Sequence, residues 1–154
     1  MASKPAVFLD TSAVFAGVWS AEGGARALLK LGEAGVIRLQ VSPQVLAEVE
    51  GALRRKAPQL LGTLILLLAA SQIEVTAAPA TEDIDRCERL TGYRNDALIL
   101  AAAFAARPGF FVTLDREHFL DNPALREAVP FPIGTPGDCL AWVREYLQAP
   151  NRDA

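Results

Sequence analysis

Two aspartates in this sequence stand where a predicted β-strand ends. Asp10 follows the apolar run Ala6–Leu9, and Asp115 follows the apolar run Phe110–Leu114. In parallel α/β sheets, ligands bind beyond the carboxyl ends of the strands, so both carboxylates are expected at the same edge of the sheet. Acids gathered at that edge would offer oxygen ligands, which suit a hard divalent cation such as Mg²⁺ or Mn²⁺.

Two further acids are candidates for the same site. Asp96 begins the apolar segment Ala97–Ala106, which predicts a buried helix with its N-terminus near one edge of the sheet. Glu48 lies in a helix whose apolar stripe it flanks about as closely as Glu50 does, so helical periodicity does not choose between these two glutamates. Each acid also has a structural interpretation, since aspartates cap turns and helices and a helical glutamate can face solvent.

The elements that must position these acids alternate between short apolar strands and helices. We predict strands at Ala6–Leu9, Val36–Val41, Ile73–Thr76, Phe110–Leu114 and Phe131–Ile133. We predict helices at Ala25–Leu31, Gln59–Ala70, Arg94–Arg107 and Cys139–Leu147. Two more helices are predicted from their N-terminal signals: one begins at Ser42-Pro43 and runs to about Lys56, and the other has Thr81 as its N-cap. This order is typical of an α/β three-layer sandwich, in which helices flank a mostly parallel sheet of short strands.

Composition narrows the class of protein. The 154 residues are 51% hydrophobic and 21% charged, which indicates one globular domain over residues 1–149 and a frayed tail at 150–154. The net charge of −3 argues against a protein that coats nucleic acid non-specifically, but not against an enzyme with an acidic centre. We see no signal peptide and no apolar stretch long enough to span a bilayer, and therefore expect a cytoplasmic protein.

Cysteine and histidine are scarce. Cys87 and Cys139 lie far apart, and His118 is the only histidine, so a Cys/His zinc site and a Ser–His catalytic pair are both disfavoured. We expect His118 on the surface, between a loop and a helix, rather than in a catalytic role. The acidic site is accordingly expected to have no histidine nearby.

An ordered set of segments, spread over nearly the whole chain, resembles the PIN-domain family. The segments are FLDTSAV (8–14), GGA (23–25), VSPQVLAE (41–48), NDALILAAA (95–103), VTLD (112–115) and GTP (134–136). No single segment is specific, but their order and separations are. The resemblance is closest to bacterial and archaeal PIN proteins described as toxin components of toxin–antitoxin pairs.

This resemblance implies a metal-dependent ribonuclease whose catalytic acids match Asp10, Glu48, Asp96 and Asp115. We expect Asp10, Asp96 and Asp115 to be the principal ligands of Mg²⁺ or Mn²⁺, with Glu48 as a ligand or as the residue that positions the attacking water. Carboxylates packed this closely without a cation would repel each other and raise each other's pKa. A bound ion can activate water for phosphodiester hydrolysis and stabilise the charge on the phosphate.

The neighbours of the four acids leave roles open. Ser12 and Thr113 can hydrogen-bond the carboxylates or a phosphate, or can simply cap turns. Many family members have Asn at the position of Ser12. The family also has an additional acid of variable position near the fourth acid, and whether Glu117 takes that role is open. Arg86, Arg89, Arg94 and Arg116 can line the rim of the acidic pocket or pair with acids on helix surfaces.

The family resemblance and the apolar helices also imply protein partners. Relatives commonly pair, and the helical segments Ala25–Leu31 and Leu60–Ala70 contain more apolar surface than a small sheet easily covers, so we expect a homodimer. Core packing is nevertheless the simpler explanation of Leu60–Ala70, and Phe15 and Trp19 are expected in the core or a dimer interface rather than stacked on a base. A small antitoxin protein with a basic side chain would reach the acidic groove and restrain the nuclease.

Two alternatives to an active ribonuclease remain at this point. One is a catalytically inactive PIN-like module that binds RNA or a partner. The other is a phosphatase of the haloacid dehalogenase type, in which Asp10 would be the nucleophile. That enzyme class usually has a second Asp two residues later, where this sequence has Ser12.

Overall fold

The computed structural model describes residues 3–149 and contains a sheet of five parallel strands. The strands are β1 (Ala6–Leu9), β2 (Arg38–Val41), β3 (Glu74–Val75), β4 (Phe110–Val112) and β5 (Ile133–Gly134), in the order β3-β2-β1-β4-β5. The fold is therefore the predicted α/β sandwich with a parallel sheet. The tail 150–154, which the sequence predicts to fray, lies outside the described residues.

Strand β1 is the centre of the sheet because it pairs on both sides. Phe8 lies opposite Gln40 of β2 and opposite Phe111 of β4. All pairs of neighbouring strands are parallel, so the carboxyl ends of β1 and β4 meet at one edge. Asp10 follows β1 directly, and its backbone N–H donates to the Val112 carbonyl at 3.1 Å, which extends the pairing with β4 to the edge of the sheet.

Eight α-helices in the described part of the chain connect and cover the strands. They are α1 (Thr11–Trp19), α2 (Gly24–Glu33), α3 (Pro43–Lys56), α4 (Leu61–Ala70), α5 (Thr81–Thr91), α6 (Arg94–Ala106), α7 (Pro123–Ala128) and α8 (Pro136–Gln148). A 3₁₀ turn at Pro58–Leu60 precedes α4, and a π-helical turn at Arg116–Leu120 follows β4. The helix predicted at Gln59–Ala70 is thus divided into a 3₁₀ turn and an α-helix.

Helix α1 is the main element that the sequence pattern does not predict. Its sequence, TSAVFAGVW, is apolar on most sides, so it lacks the helical periodicity of a surface helix. The signal that could have revealed it is Asp10, whose side chain accepts a hydrogen bond from the Ala13 N–H as an N-cap. Conversely, the predicted N-cap Thr81 is already inside α5, and Ala80 is the capping residue.

The core lies on both faces of the sheet. The buried Phe8 and Phe111 stack with ring centroids 5.4 Å apart, and Phe119 packs against Phe111. Helix α6 buries a row of small and aliphatic side chains, including Ala97, Leu100 and Ala101. The small alanines allow this helix to lie close to its neighbours, as expected for a helix that is apolar on all sides.

Core packing explains only one face of α4, so the expectation for Leu60–Ala70 is wrong in part. Leu64 is buried and Leu67 and Leu68 pack against the core, but Ile65 and Leu66 are 66% and 72% exposed. Adjacent apolar side chains that remain in water are a feature of interfaces. No helix within residues 3–149, α4 included, is long and apolar enough to cross a membrane.

Candidate active site

Asp10 is a buried carboxylate fixed by three hydrogen bonds. It lies between the end of β1 and the start of α1 and is only 3% exposed. Its Oδ1 accepts from Ser12 Oγ at 2.7 Å and from the Ala13 N–H at 3.0 Å, and its Oδ2 accepts from Thr113 Oγ1 at 2.6 Å. Ser12 and Thr113 therefore hydrogen-bond a site carboxylate, which is one of the two roles that the sequence left open.

Burial raises the pKa of Asp10 from 3.8 to about 6. The hydrogen bonds from Thr113, Ser12 and Ala13 lower this pKa, and the nearby charge of Asp115 raises it slightly. The three donors therefore stabilise the ionised carboxylate only in part. A positive charge near Asp10 would stabilise it further.

Asp96, Asp115 and His118 form the tightest group of candidate ligands in the described part of the chain. One oxygen or nitrogen of each side chain lies within 4.8 Å of those of the other two. His118 Nδ1 lies 2.8 Å from Asp115 Oδ2 and 3.2 Å from Asp96 Oδ2. Two parts of the chain supply the three side chains: Asp96 lies in the first turn of α6, whereas Asp115 caps the π-helical turn that contains His118.

The position of His118 corrects the sequence-based expectation. We expected a surface residue and an acidic site without a histidine, but His118 is partly buried against two of the predicted acids. The π-helical turn is the reason, because Asp115 caps this turn by accepting from the His118 N–H at 3.0 Å, which brings the ring back over the carboxylate. A turn of this kind has no clear sequence signature.

Glu48 faces the site, and Glu50 does not. The Glu48 carboxylate accepts from Thr11 Oγ1 at 3.2 Å and from Gln44 Nε2 at 2.7 Å. Glu50 is exposed and pairs with Arg54 on the surface of α3 at 2.7 Å. Tertiary contacts with α1 therefore resolve the choice that helical periodicity left open.

Charge accumulates where these acids approach each other. The pKa of Asp96 is raised, mainly by desolvation and further by the charges of Asp115 and Glu48, while His118 lowers it. Desolvation lowers the pKa of His118, but its hydrogen bond with Asp115 and the charges of Asp115 and Asp96 raise it above its ordinary value overall. The site is thus a partly desolvated group of acids with a single imidazole among them.

All four predicted acids line one cavity of about 420 Å³ at the carboxyl edge of the sheet. Thr11, Ser12, Phe15 and Lys56 are among the other lining residues. His118 is not among the lining residues, but it contacts Asp96 and Asp115, which are. The structure therefore brings Asp10, Glu48, Asp96 and Asp115 together around one opening.

The arginines that were candidates for the rim are engaged elsewhere. Arg86 pairs with Asp83, Arg94 pairs with Asp85 and Glu88, and Arg116 lies 3.5 Å from Asp121. Arg89 lines a different cavity, beside Phe104 and Leu90. These contacts favour the second of the two interpretations that the sequence allowed, namely pairing on the protein surface.

Lys56 is the basic residue that does line the acidic cavity. Its Nζ lies 5.6 Å from the centroid of the Phe15 ring, which in turn stacks on Trp19 at 5.6 Å. Trp19 is 57% exposed, so of the two positions expected for this residue the core is excluded, and a dimer interface stays a prediction. An aromatic pair with an ammonium group beside it thus adjoins the acids.

The donor set fits a divalent cation. Carboxylate oxygens are the preferred ligands of Mg²⁺, and carboxylates with an imidazole suit Mn²⁺ as well. Asp10 and Asp96 both have pKa values raised chiefly by desolvation, and the nearby His118 offsets this only in part for Asp96. A cation held by Asp10, Asp96 and Asp115 would supply further positive charge.

Sequence comparison identifies the family to which this architecture belongs. The family model described as the PIN domain matches residues 6–117, which include all four acids, so the chain belongs to the PIN-domain family. Proteins of this family are generally nucleases. Comparison with curated proteins gives no significant match.

Solved structures support the same fold. The crystal structure of VapBC2 from Rickettsia felis bound to a DNA fragment from their promoter is 20% identical, covers 83% of this chain and 96% of that chain, and has a TM-score of 0.62. The crystal structure of PAE2754 from Pyrobaculum aerophilum is 16% identical, covers 93% of this chain and 99% of that chain, and also has a TM-score of 0.62. At these identities the similarity establishes the fold.

Asp10→Asn should stabilise the chelator-treated protein at a pH of about 7.5. Burial raises the pKa of Asp10 to about 6, so above that pH the ionised carboxylate costs the folded protein about 3 kcal/mol relative to a pKa of 3.8 in the unfolded chain. A neutral amide avoids this cost but makes poorer hydrogen bonds, which leaves a net gain of about 1–2 kcal/mol. Urea unfolding measures the difference.

The same comparison at lower pH tests the cause. As the pH falls from 6 towards 3.8, the folded protein protonates Asp10 and recovers the lost stability, whereas the poorer hydrogen bonds of the Asn variant remain. The advantage of the variant should therefore disappear at about pH 5, and the parent should be the more stable protein near pH 4. Glu50→Gln, at an exposed position on α3, is the control and should change stability little at either pH. A variant less stable than the parent at pH 7.5 would contradict this account of Asp10.

Proposed function

We propose that this chain is a metal-dependent endoribonuclease that hydrolyses phosphodiester bonds in RNA. The observation that supports this most directly is the single cavity lined by Asp10, Glu48, Asp96 and Asp115, in a chain of the PIN-domain family. We assign the catalytic role to these four acids. Asp10, Asp96 and Asp115 would hold Mg²⁺ or Mn²⁺.

The bound ion would lower the pKa of a coordinated water and neutralise charge on the phosphate. Asp10 is suited to hold the ion because three donors already fix both of its carboxylate oxygens, so the side chain would lose little conformational entropy on binding. Asp96 and Asp115 approach from α6 and from the turn after β4, and the Oδ2 of each lies within 3.2 Å of His118 Nδ1. Together with Asp10, which lines the same cavity, they would supply three carboxylate ligands.

Glu48 and Lys56 would act on the substrate side of the cavity. Glu48 is held by Thr11 and Gln44, which leaves carboxylate lone pairs free to orient the attacking water and accept its proton. Lys56 provides an ammonium group within the same cavity, where it would contact a phosphate oxygen of the strand. The negative substrate would therefore meet a positive charge beside the acids.

Cleavage of a labelled single-stranded RNA with Mg²⁺, with Mn²⁺ and with excess chelator tests the proposal. We expect cleavage with the ions and none with chelator. Asp10→Asn and Glu48→Gln should each reduce the rate by roughly 10²-fold or more, because each removes a charged group from the reacting centre. Glu50→Gln changes the neighbouring glutamate of α3 and should cleave at the parent rate.

Two outcomes would reject this assignment. Equal cleavage by the parent and the Asp10→Asn variant would attribute the activity to a contaminant or to another site. Absence of cleavage by folded, metal-loaded protein on structured and unstructured RNA would instead support the alternative of an inactive module that binds RNA or a partner.

We further propose that the chain is the toxin component of a toxin–antitoxin pair. The fold similarity to VapBC2, whose structure includes a fragment of promoter DNA, supports a small antitoxin as partner. An Arg or Lys side chain of that protein would pair with Asp10, Asp96 or Asp115 in the groove. The exposed aromatic Trp19 provides apolar surface near that groove for the rest of the partner.

Expression of this chain alone in a bacterial host tests the toxin assignment. The parent should arrest growth, and Asp10→Asn should not, although both accumulate as folded protein. Glu50→Gln should arrest growth as the parent does. Normal growth at high levels of soluble, metal-loaded parent protein would contradict a toxin that needs an antitoxin.

We also propose that the chain forms a homodimer through α4. The exposed pair Ile65 and Leu66 supports this because burial of two large apolar side chains at an interface is favourable. Light scattering should give twice the 16.5 kDa mass of one chain. Leu66→Glu should give the single-chain mass, whereas Leu147→Glu, at an exposed position on α8, should not. A parent protein of 16.5 kDa at micromolar concentration would refute the dimer.

A further inference from the structure

We propose that His118 is itself a ligand of the divalent cation and that its imidazole favours Mn²⁺ over Mg²⁺. This inference rests on the proposed metal site and goes beyond the acid set that the PIN resemblance implies. It depends on the placement of one nitrogen atom, His118 Nδ1, between two of the proposed ligands.

The spacing of the donor atoms matches a shared ion. Nδ1 lies 2.8 Å from Asp115 Oδ2 and 3.2 Å from Asp96 Oδ2. Two ligands on neighbouring corners of an octahedron with bonds of about 2.1 Å lie about 3.0 Å apart. The imidazole nitrogen therefore already lies at the separation from each carboxylate oxygen that a shared six-coordinate ion requires, and the donor atoms of the three side chains all lie within 4.8 Å of one another.

The surroundings of His118 hold the ring in this orientation. Asp115 caps the π-helical turn Arg116–Leu120, and its Oδ1 accepts from the His118 N–H, so Oδ2 is the oxygen that faces the ring. On another side the ring packs against Tyr93, with centroids 4.2 Å apart. Turns of the π type are rare and are frequent at functional sites.

A role limited to hydrogen bonding explains the geometry less well. A neutral imidazole donates through one N–H to one acceptor, yet Nδ1 faces oxygens of both Asp96 and Asp115. The other ring nitrogen, Nε2, points away from them and lies 4.0 Å from Glu117, a side chain that is 81% exposed and too distant for a hydrogen bond. The nitrogen that faces the acids is thus the one placed to bind an ion with them.

An imidazole among the ligands makes the site selective between divalent cations. Mg²⁺ prefers oxygen ligands, whereas imidazole suits first-row transition metals, whose affinity for nitrogen-containing sites rises from Mn²⁺ to Co²⁺. A site with His118 as ligand should therefore bind Mn²⁺ more tightly than Mg²⁺. Removal of the imidazole should weaken Mn²⁺ binding and leave Mg²⁺ binding almost unchanged.

Direct ligation can be observed without any substitution because the chain contains one histidine. Untagged protein labelled with ¹⁵N-histidine is loaded with Mn²⁺ and compared with unlabelled protein by pulsed electron paramagnetic resonance. We expect a coupling from a directly bound nitrogen that changes from ¹⁴N to ¹⁵N with the label. Bound Mn²⁺ without that coupling would overturn the proposal.

Calorimetric binding of Mn²⁺ and Mg²⁺ supplies the second measurement. His118→Asn should raise the Kd for Mn²⁺ at least tenfold and the Kd for Mg²⁺ less than threefold. Glu117→Gln, at the adjacent exposed acid, should change both constants less than threefold. Equal losses for the two ions in His118→Asn, or no loss for either, would overturn the assignment.

These readouts are independent of catalysis. A protein that binds Mn²⁺ with the histidine coupling but cleaves no RNA would reject the proposed nuclease and retain the ligand assignment. A protein that cleaves RNA but shows no nitrogen coupling would reject the role of His118 alone.

Discussion

The buried charge of Asp10 is the constraint on which the site depends. A carboxylate with almost no solvent contact must obtain its stabilisation from the protein, and it does so from three donors on two elements. Ser12 and Ala13 donate from the start of α1, and Thr113 donates from the segment after β4. The pairing of β1 with β4 and the start of α1 must therefore both be in place before Asp10 can be ionised in the folded chain.

Parallel topology explains why the other acids reach the same point. Asp115 follows β4, the neighbour of β1, and thus emerges at the same edge. Asp96 comes from the opposite direction, because α6 returns the chain between parallel strands and so begins where those strands end. Glu48 is added by α3 through its contacts with Thr11 of α1. Distant parts of the sequence converge because all strands of the sheet run in the same direction.

Some large apolar side chains remain exposed outside the acidic centre. Ile65 and Leu66 on α4 extend from a helix whose opposite face packs on the core, and Trp19 extends from α1 beside Phe15. Neither group is needed to fill the interior, where Phe8, Phe111 and Phe119 already pack against one another. The molecule thus combines a partly desolvated anionic cavity with apolar side chains suited to protein contacts.

The sequence by itself determined the fold class and the family and placed Asp10 and Asp115 at strand ends, because strand-end aspartates, short apolar strands and the order of motifs are local signals. The sequence pattern missed α1, since a helix that is apolar on most sides has no clear periodicity, and misplaced His118, since a π-helical turn has no clear sequence signature. Only tertiary structure decided between Glu48 and Glu50, which are equivalent on an isolated helix and differ only through Thr11 of α1. Likewise, the exposure of Ile65 and Leu66 depends on which face of α4 meets the core, and a uniformly apolar sequence does not specify that face.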